Sequence, residues 1–127
     1  KLAQKYGCKV IDISLRAINA ERGHIMRYDA GVEEFLSLVK HAKYIVTNSY
    51  HGAIFATQMH RDFLLFSREQ CDTKIDELLS WIGLSDRKVI TGDEAISEHI
   101  NYEPVDKLID QHRVESIDYL KKALMVK

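Results

Sequence analysis

The feature that most constrains the fold of this chain is a strand–helix–strand pattern between residues 44 and 66. Two short apolar runs, YIVT (44–47) and FLLF (63–66), are rich in β-branched and aromatic residues, which favour strands. Between them, residues 50–60 form a mainly apolar stretch of helical length. Strands that are joined through a helix pair in parallel, usually with a right-handed crossover. The pattern therefore predicts a parallel sheet, and the run at 44–47 predicts a strand covered on both faces.

The remainder of the chain continues this alternation of strands and helices. Apolar residues recur at helical spacing in three further segments, and β-branched residues cluster in two others. We predict helices at 31–42, at 72–84 and from Pro104 onward, and strands at 8–14 and 88–90. This order of elements predicts an α/β fold, namely a Rossmann-like parallel sheet with helices on both faces. In such sheets, ligands lie beyond the carboxyl ends of the strands.

Other segments carry more specific expectations. The polar residues 15–30 are expected to form a loop, and Lys1–Tyr6 to form the end of a helix that stops at Gly7. Because the chain starts without Met in what reads as a helix end, we expect residues 1–127 to be a single domain of a longer protein. Trp81 is expected in the core. The last helix is expected to bury one apolar face, formed by Val105, Leu108, Ile109, Ile117, Leu120 and Leu124.

The composition indicates a globular protein and excludes several functional classes. The 127 residues are 46% hydrophobic and 29% charged, with a single proline, so extensive disorder is not expected. The formal net charge of −1 offers no basic surface to nucleic acid, and no apolar run has the length of a membrane span. Cys8 and Cys71 are far apart in sequence and are expected to be reduced thiols, which predicts a cytoplasmic protein.

The candidate site is the turn TNSYHG (47–52), between the strand at 44–47 and the next helix. Asn48 or Ser49 is suited to cap this helix, because its side-chain oxygen can accept a backbone N–H of the first turn. The following residues then lie in that first turn: Tyr50, His51 and Gly52. The unpaired N–H groups and the positive end of the helix dipole attract an anion such as phosphate.

Two residues of the first turn have further roles in this interpretation. Gly52 leaves room for a ligand or a neighbouring backbone to come close. His51 can donate a hydrogen bond to an anion or act as a general acid or base near neutral pH. A capped helix that contains an incidental histidine is the alternative, and the residues alone leave both interpretations open.

Other sequence signals narrow the chemistry without deciding it. Arg68 follows the predicted strand at 63–66, so we expect it on the same rim as His51, either as a contact for a carboxylate or phosphate or as a solvated loop residue. The sequence contains no dinucleotide fingerprint, no P-loop and no nucleophile elbow. No cysteines and histidines have the spacing of metal ligands, so no metal is expected.

Two longer segments, GVEEFLSLVKHAKYIVTNSYHGAIFATQMHRDFLLFS (31–67) and KIDELLSWIGLSDR (74–87), resemble the C-terminal half of polysaccharide pyruvyl transferases. The pattern of that family is a helix with EEFL and a strand ending in TDS or TNS, followed by an aromatic residue, histidine and glycine. A second strand and a helix of the form I..LL..LGL..R complete it. The resemblance extends over about residues 29–87 and consists of ordered features rather than one short motif.

The resemblance implies a fold, a reaction and roles for residues. The chain would be the C-terminal lobe of a two-lobed enzyme like the GT-B glycosyltransferases, inactive without the absent N-terminal lobe. The enzyme would transfer a pyruvyl group from phosphoenolpyruvate to a sugar hydroxyl of a glycan, forming a ketal, as in exopolysaccharide biosynthesis. His51 would be the acid/base catalyst, and no cofactor is implied. The donor pocket would include Asn48, Ser49, Tyr50, Gly52 and Arg68.

The sequence departs from the family pattern at two places, and two other functions remain as alternatives. Ser49 stands where many members have an arginine, and RDF (61–63) replaces the usual KPF. A glycosyltransferase lobe of similar architecture would bind a nucleotide-sugar donor at the same turn. A flavodoxin- or receiver-like binding module is the second alternative, although Asp12 lies inside a predicted strand and the acidic cluster of a receiver is absent.

Overall fold

The structure is a computed structural model that describes residues 1–14, 16, 18–66, 72–90 and 99–125. By its internal contacts the chain forms two compact units, which we call unit 1 (Lys1–Leu38) and unit 2 (Val39–Lys127). Each unit contains its own small parallel sheet. The chain is therefore a mixed α/β protein.

Unit 1 is built around a two-stranded parallel sheet. Its elements are α1 (Leu2–Tyr6), β1 (Ile11–Asp12), α2 (Ile18–Glu21) and β2 (Ile25–Met26). The N–H of Ile25 donates to the carbonyl of Val10, and the N–H of Arg27 to that of Asp12. Helix α1 ends at Gly7 as predicted, with φ of 60° in the left-handed region that glycine adopts without strain.

Two predictions for unit 1 were wrong. Residues 15–30 were expected to be a loop, but they contain α2 and β2. These elements are too short to show a periodicity of their own, and β2 forms because β1 supplies its hydrogen-bond partners. The strand expected at 8–14 is reduced to the two residues of β1.

Helix α3 (Val32–His41) continues from unit 1 into unit 2. The guanidinium of Arg27 forms an ion pair with Glu34 in its first turn, with 2.8 Å between Nε and Oε1. Acidic residues at its start and basic residues at its end complement the helix dipole. Val39 is buried, whereas Val32 at the first position is exposed.

Unit 2 contains the strand–helix–strand pattern that the sequence predicts. Its elements are β3 (Ile45–Thr47), α4 (Tyr50–Gln58), β4 (Phe63–Phe66), α5 (Asp72–Trp81), a 3₁₀ turn (Ser85–Arg87), β5 (Lys88–Val89) and α6 (Tyr102–Met125). The three strands are parallel in the order β3–β4–β5, which confirms the parallel pairing of β3 with β4 and the predicted strand at β5.

Strand β4 is the centre of the core of unit 2. Phe63 and Leu65 point to one face, where they pack in one buried cluster with residues of α4, α5 and α6. Leu64 points to the other face and is also buried, so β4 is covered on both sides. Strand β3 was expected to be covered likewise, but Val46, the register partner of Leu64, is 56% exposed. Among the described residues β3 lies at the edge of this sheet, and the cover over β4 does not extend to Val46.

The predicted single sheet is not what the described residues form. Strand β1 pairs with β2, while β3, β4 and β5 form a separate sheet. The described residues therefore form two small parallel sheets with several helices. The expected Rossmann-like sheet with helices on both faces is not confirmed.

The last two helices depart from prediction in what they bury. Helix α6 starts at Tyr102, and its first half contacts the core through Val105, with Tyr102 and Ile109 packed against the same cluster. The apolar residues of its second half are exposed, among them Ile117, Leu120 and Leu124. Trp81 is 62% exposed and stacks on His112 instead of lying in the core, with 5.3 Å between ring centroids. Apolar spacing thus correctly predicted a stripe on α6 but not its burial.

No helix in the described ranges combines the length and the apolar character that crossing a membrane requires.

Candidate active site

The turn between β3 and α4 is held by short-range hydrogen bonds. Ser49 has extended backbone angles (φ −102°, ψ 130°), and its Oγ accepts the N–H of Gly52 at 3.3 Å. The N–H of Ser49 in turn donates to Oγ1 of Thr47 at 3.1 Å. Ser49 is therefore the N-cap of α4, one of the two caps that the sequence allowed, and Thr47 fixes the cap residue from the strand side.

Gly52 is required by the packing of this turn. A Cβ atom at this position would lie 2.5 Å from Oγ1 of Thr47 and 3.2 Å from its Cβ. Gly52 is buried, so the space that it leaves is taken by the threonine side chain. Because glycine has no side chain, the first turn of α4 can pack against the end of β3. The neighbour that comes close is a side chain, rather than the ligand or backbone that the sequence suggested.

His51 lies on the exposed side of the first turn of α4. Its ring contacts the ring of Tyr50 edge to face, with 5.6 Å between the centroids and an interplanar angle of 88°. Tyr50 is half-buried and packs against the core cluster of unit 2. The imidazole is therefore accessible to a ligand while one flank rests on an anchored aromatic ring.

Two backbone donors of the first turn remain available. The N–H groups of Gly52 and Ala53 are bonded to the side chain and carbonyl of Ser49. Those of Tyr50 and His51 have no acceptor within the part of the chain that the structure describes. They point out of the positive end of a helix of nine residues, and such a pair can bind a phosphate or carboxylate oxygen.

The turn lies at the carboxyl edge of the sheet of unit 2. Thr47 is the last residue of β3, and the parallel β4 ends at Phe66 on the same side. The exposed Asn48 stands beside Ser49 at this edge. Arg68, which the sequence places on the same rim, lies outside the described residues. The structure thus brings together Asn48, Ser49, Tyr50, His51 and Gly52.

Sequence reasoning missed the contribution of Thr47. A threonine two residues before a serine cap is a recognisable signal, because its hydroxyl can accept the N–H two residues on. Glycine three residues after the cap is the second signal, since it marks a close approach. Read together, the two residues would have predicted the observed packing.

A second polar cluster lies at the opposite, amino edge of the same sheet. Asp62, just before β4, accepts hydrogen bonds from Nδ1 of His99 at 2.7 Å and from the N–H of Ile100 at 2.8 Å. The hydroxyl of Tyr102 donates to the carbonyl of Arg61 at 2.5 Å. Burial, with the charge of Asp62 next in size, raises the pKa of Tyr102, so the phenol remains a donor. These bonds fasten the start of α6 to the loop before β4, and we assign the cluster a structural role.

Within the described ranges, no three or more His, Cys, Asp or Glu side chains are grouped so that they could hold a metal ion. The groups that the turn itself presents are an accessible imidazole and two backbone donors. Such a set can bind an anion and transfer a proton next to it.

Comparison with known proteins identifies the family. The family model for polysaccharide pyruvyl transferase matches residues 2–70, which include β1 to β4 and the turn with His51. A search of curated proteins finds no match, and neither does a search of solved structures. Since the family match extends over more than half of the 127 residues, the chain belongs to the polysaccharide pyruvyl transferase family.

Proposed function

We propose that the chain is the C-terminal, GT-B-like lobe of an enzyme that transfers a pyruvyl group from phosphoenolpyruvate to a sugar hydroxyl of a glycan. The observation that carries this proposal is the exposed His51 beside two N–H groups that have no acceptor among the described residues, at the carboxyl edge of a parallel sheet in the family-matched segment. Phosphoenolpyruvate carries a phosphate and a carboxylate, so it offers two groups suited to these donors.

The reaction needs a proton at one carbon and the loss of protons from the acceptor. Protonation of the CH₂ carbon of the enol makes C2 electrophilic, and a sugar hydroxyl forms a bond to C2 as it loses its proton. The C2–O bond to phosphate breaks, and phosphate leaves with the bonding electrons. A second hydroxyl closes the ketal, and its proton leaves with the phosphate. One imidazole can give the first proton and take the proton of the attacking hydroxyl.

The residues of the turn divide between contact and support. His51 is proposed to move the protons, and its N–H together with that of Tyr50 to hold the phosphate. Ser49 and Gly52 are engaged with each other and with Thr47, so they shape the pocket by fixing the turn. Asn48 is exposed at the rim, where its amide can reach the donor. Arg68 is proposed as an anion contact from its place in the sequence alone.

His51→Gln in the full-length enzyme tests the catalytic role. Glutamine keeps hydrogen-bonding capacity but cannot carry a proton near neutral pH, so turnover should fall by roughly a hundredfold or more. His41→Gln is the matched control, because His41 is an exposed histidine at the end of α3, outside the turn. Its turnover should remain close to that of the wild type. Near-normal turnover of His51→Gln would refute the assignment.

The identity of the donor needs a separate measurement. Phosphoenolpyruvate labelled in the pyruvyl carbons should transfer its label to one glycan of a panel, with release of one inorganic phosphate per group transferred. Nucleotide sugars labelled in the sugar should transfer no label to the same glycans. Label transfer from a nucleotide sugar, and none from phosphoenolpyruvate, would favour the glycosyltransferase alternative.

A further inference from the structure

Unit 1 contains a carboxylate that accepts hydrogen bonds from several side-chain and backbone donors. Asp12, at the end of β1, accepts the N–H of Ser14 at 2.7 Å and the side-chain amide of Asn19 at 2.7 Å. Its Oδ2 also lies 3.1 Å from Nδ1 of His24. The side chain of Asp12 is 15% exposed and that of His24 is 26% exposed. The loop between β1 and β2 is therefore organised around one carboxylate.

This contact fixes which nitrogen of His24 is available. An ionised carboxylate only accepts hydrogen bonds, so Nδ1 of His24 must be the donor to Asp12. Nε2, on the other side of the ring, has no partner among the described residues. An imidazole oriented in this way by a carboxylate presents one nitrogen in a defined direction.

His24 lines a cleft that also contains cationic side chains. The cleft has a volume of about 520 Å³, a size that suits a small ligand, and it lies between α1 and the loop before β2. The basic residues that line it are Lys1, Lys9, Arg22 and His24, and no Asp or Glu lines it within the described ranges. Lys9 and Arg22 form no ion pair with any described residue. Among the described residues, the positive charge of these two side chains is therefore uncompensated.

A purely structural role for Asp12 explains only part of this arrangement. Ordering the loop requires the bonds to Ser14 and Asn19, but it does not require two unpaired cations beside the free face of His24. Like charges that face one cleft repel each other, and a bound anion would relieve this repulsion. The carboxylate of Asp12 behind the ring would balance the charge of an imidazolium that donates from Nε2 to such an anion.

We propose that this cleft of unit 1 binds a small ligand through a phosphate or carboxylate group, held by Nε2 of His24 and the side chains of Arg22 and Lys9. Asp12 is the positioning residue behind His24. All of these residues belong to unit 1, so binding here does not depend on the transfer reaction proposed for His51.

A titration of the 127-residue chain followed by NMR tests this proposal. Inorganic phosphate and acetate serve as probes in separate arms, each against chloride at constant ionic strength. Saturable shifts of the His24 ring and of the amides of Lys9, Arg22 and Gly23 are expected in at least one arm. The tighter arm identifies the ligand group as phosphate or carboxylate. No saturable shift in either arm would overturn the proposal.

Variants separate binding from folding. Arg22→Gln should weaken binding by about fivefold or more, as expected for a partly solvated charged hydrogen bond. Arg16→Gln is the matched control, because Arg16 is exposed in the same unit and does not line the cleft. His24→Asn keeps an amide donor near the place of Nδ1 but removes Nε2. It should weaken binding while the amides of Ile25 and Arg27 stay protected from exchange. If Arg16→Gln and Arg22→Gln lost equal affinity for the anion, net charge alone would explain the binding, and the proposed site would be refuted.

Discussion

Asp12 is the residue whose ionisation bears most directly on unit 1. Burial alone would raise the pKa of its carboxyl, but the hydrogen bonds from Ser14, His24 and Asn19 outweigh burial and lower it from 3.8 to about 2. Because the folded pKa lies below the unfolded value, the ionised carboxylate stabilises unit 1 fully above that unfolded value. This stabilisation is lost as the pH falls towards the folded pKa.

Asp12→Asn should remove most of this acid sensitivity. In the wild type, the protection of the amides of Ile25 and Arg27 against hydrogen exchange should fall by the equivalent of about 1 kcal/mol between pH 5 and pH 2, after allowance for solvent screening. The variant should be less protected at pH 5 and should change little below it. Asp29→Asn, at an exposed position of the same unit, is the control and should keep the wild-type slope. An unchanged slope in Asp12→Asn would contradict the assignment.

At the scale of elements, the junction of β3 with α4 depends on one close approach. Gly52→Ala would place a methyl group 2.5 Å from Oγ1 of Thr47, so the helix or the strand end would have to shift. We expect a loss of about 1–3 kcal/mol in the free energy of unfolding, the usual range for overpacking. Urea denaturation followed by Trp81 fluorescence measures it. Gly31→Ala should cost less than Gly52→Ala, because nothing lies within 4 Å of a Cβ there.

A double-mutant cycle identifies the cause of that loss. Thr47→Ala removes Oγ1 and Cγ2, the atoms 2.5 Å and 3.3 Å from the new methyl group, although Cβ at 3.2 Å remains. Thr47→Ala/Gly52→Ala should therefore lose less than the sum of the single variants, by about 1 kcal/mol. Strict additivity would show that Gly52 matters for some reason other than contact with Thr47.

Elements with strong local signals could be predicted from the sequence, and elements formed by distant contacts could not. The strand–helix–strand segment from β3 to β4 was predicted because its strands and helix each carry a complete pattern over consecutive residues. Strand β2 was missed because two residues in a polar stretch have no pattern, and only β1 makes them a strand. Gly7 was recognised as a helix end, and it adopts positive φ.

The same distinction applies to the polar side-chain contacts. The position of His51 and the cap of its helix were predicted because Ser49 and Gly52 are only three positions apart in sequence. The pairs Asp12–His24 and Asp62–His99 are separated by 12 and 37 residues, so no local pattern announces them. For this reason the sequence did not reveal the partners of His24 and His99, which each contact a carboxylate in the structure.

At the scale of the whole molecule, the second half of α6 contributes little to the stability of unit 2. Removing residues 115–127 should change its free energy of unfolding by less than about 1 kcal/mol, because residues 115–125 are all exposed. Val105→Ala should cost more, about 1–3 kcal/mol, because Val105 is buried in the core cluster. Urea midpoints from Trp81 fluorescence compare the two. A truncation loss larger than that of Val105→Ala would show that the exposed half supports the fold.

The bonds that present His51 all lie between Thr47 and Ala53, seven consecutive positions of the chain. Because this geometry is held within so short a stretch, mutations elsewhere can change the surrounding surface while the imidazole keeps its orientation. Under the proposed function, selection for a new acceptor can therefore act on distant surface positions one at a time, without first losing the imidazole. Such separability locates the evolutionary freedom of this chain outside the turn.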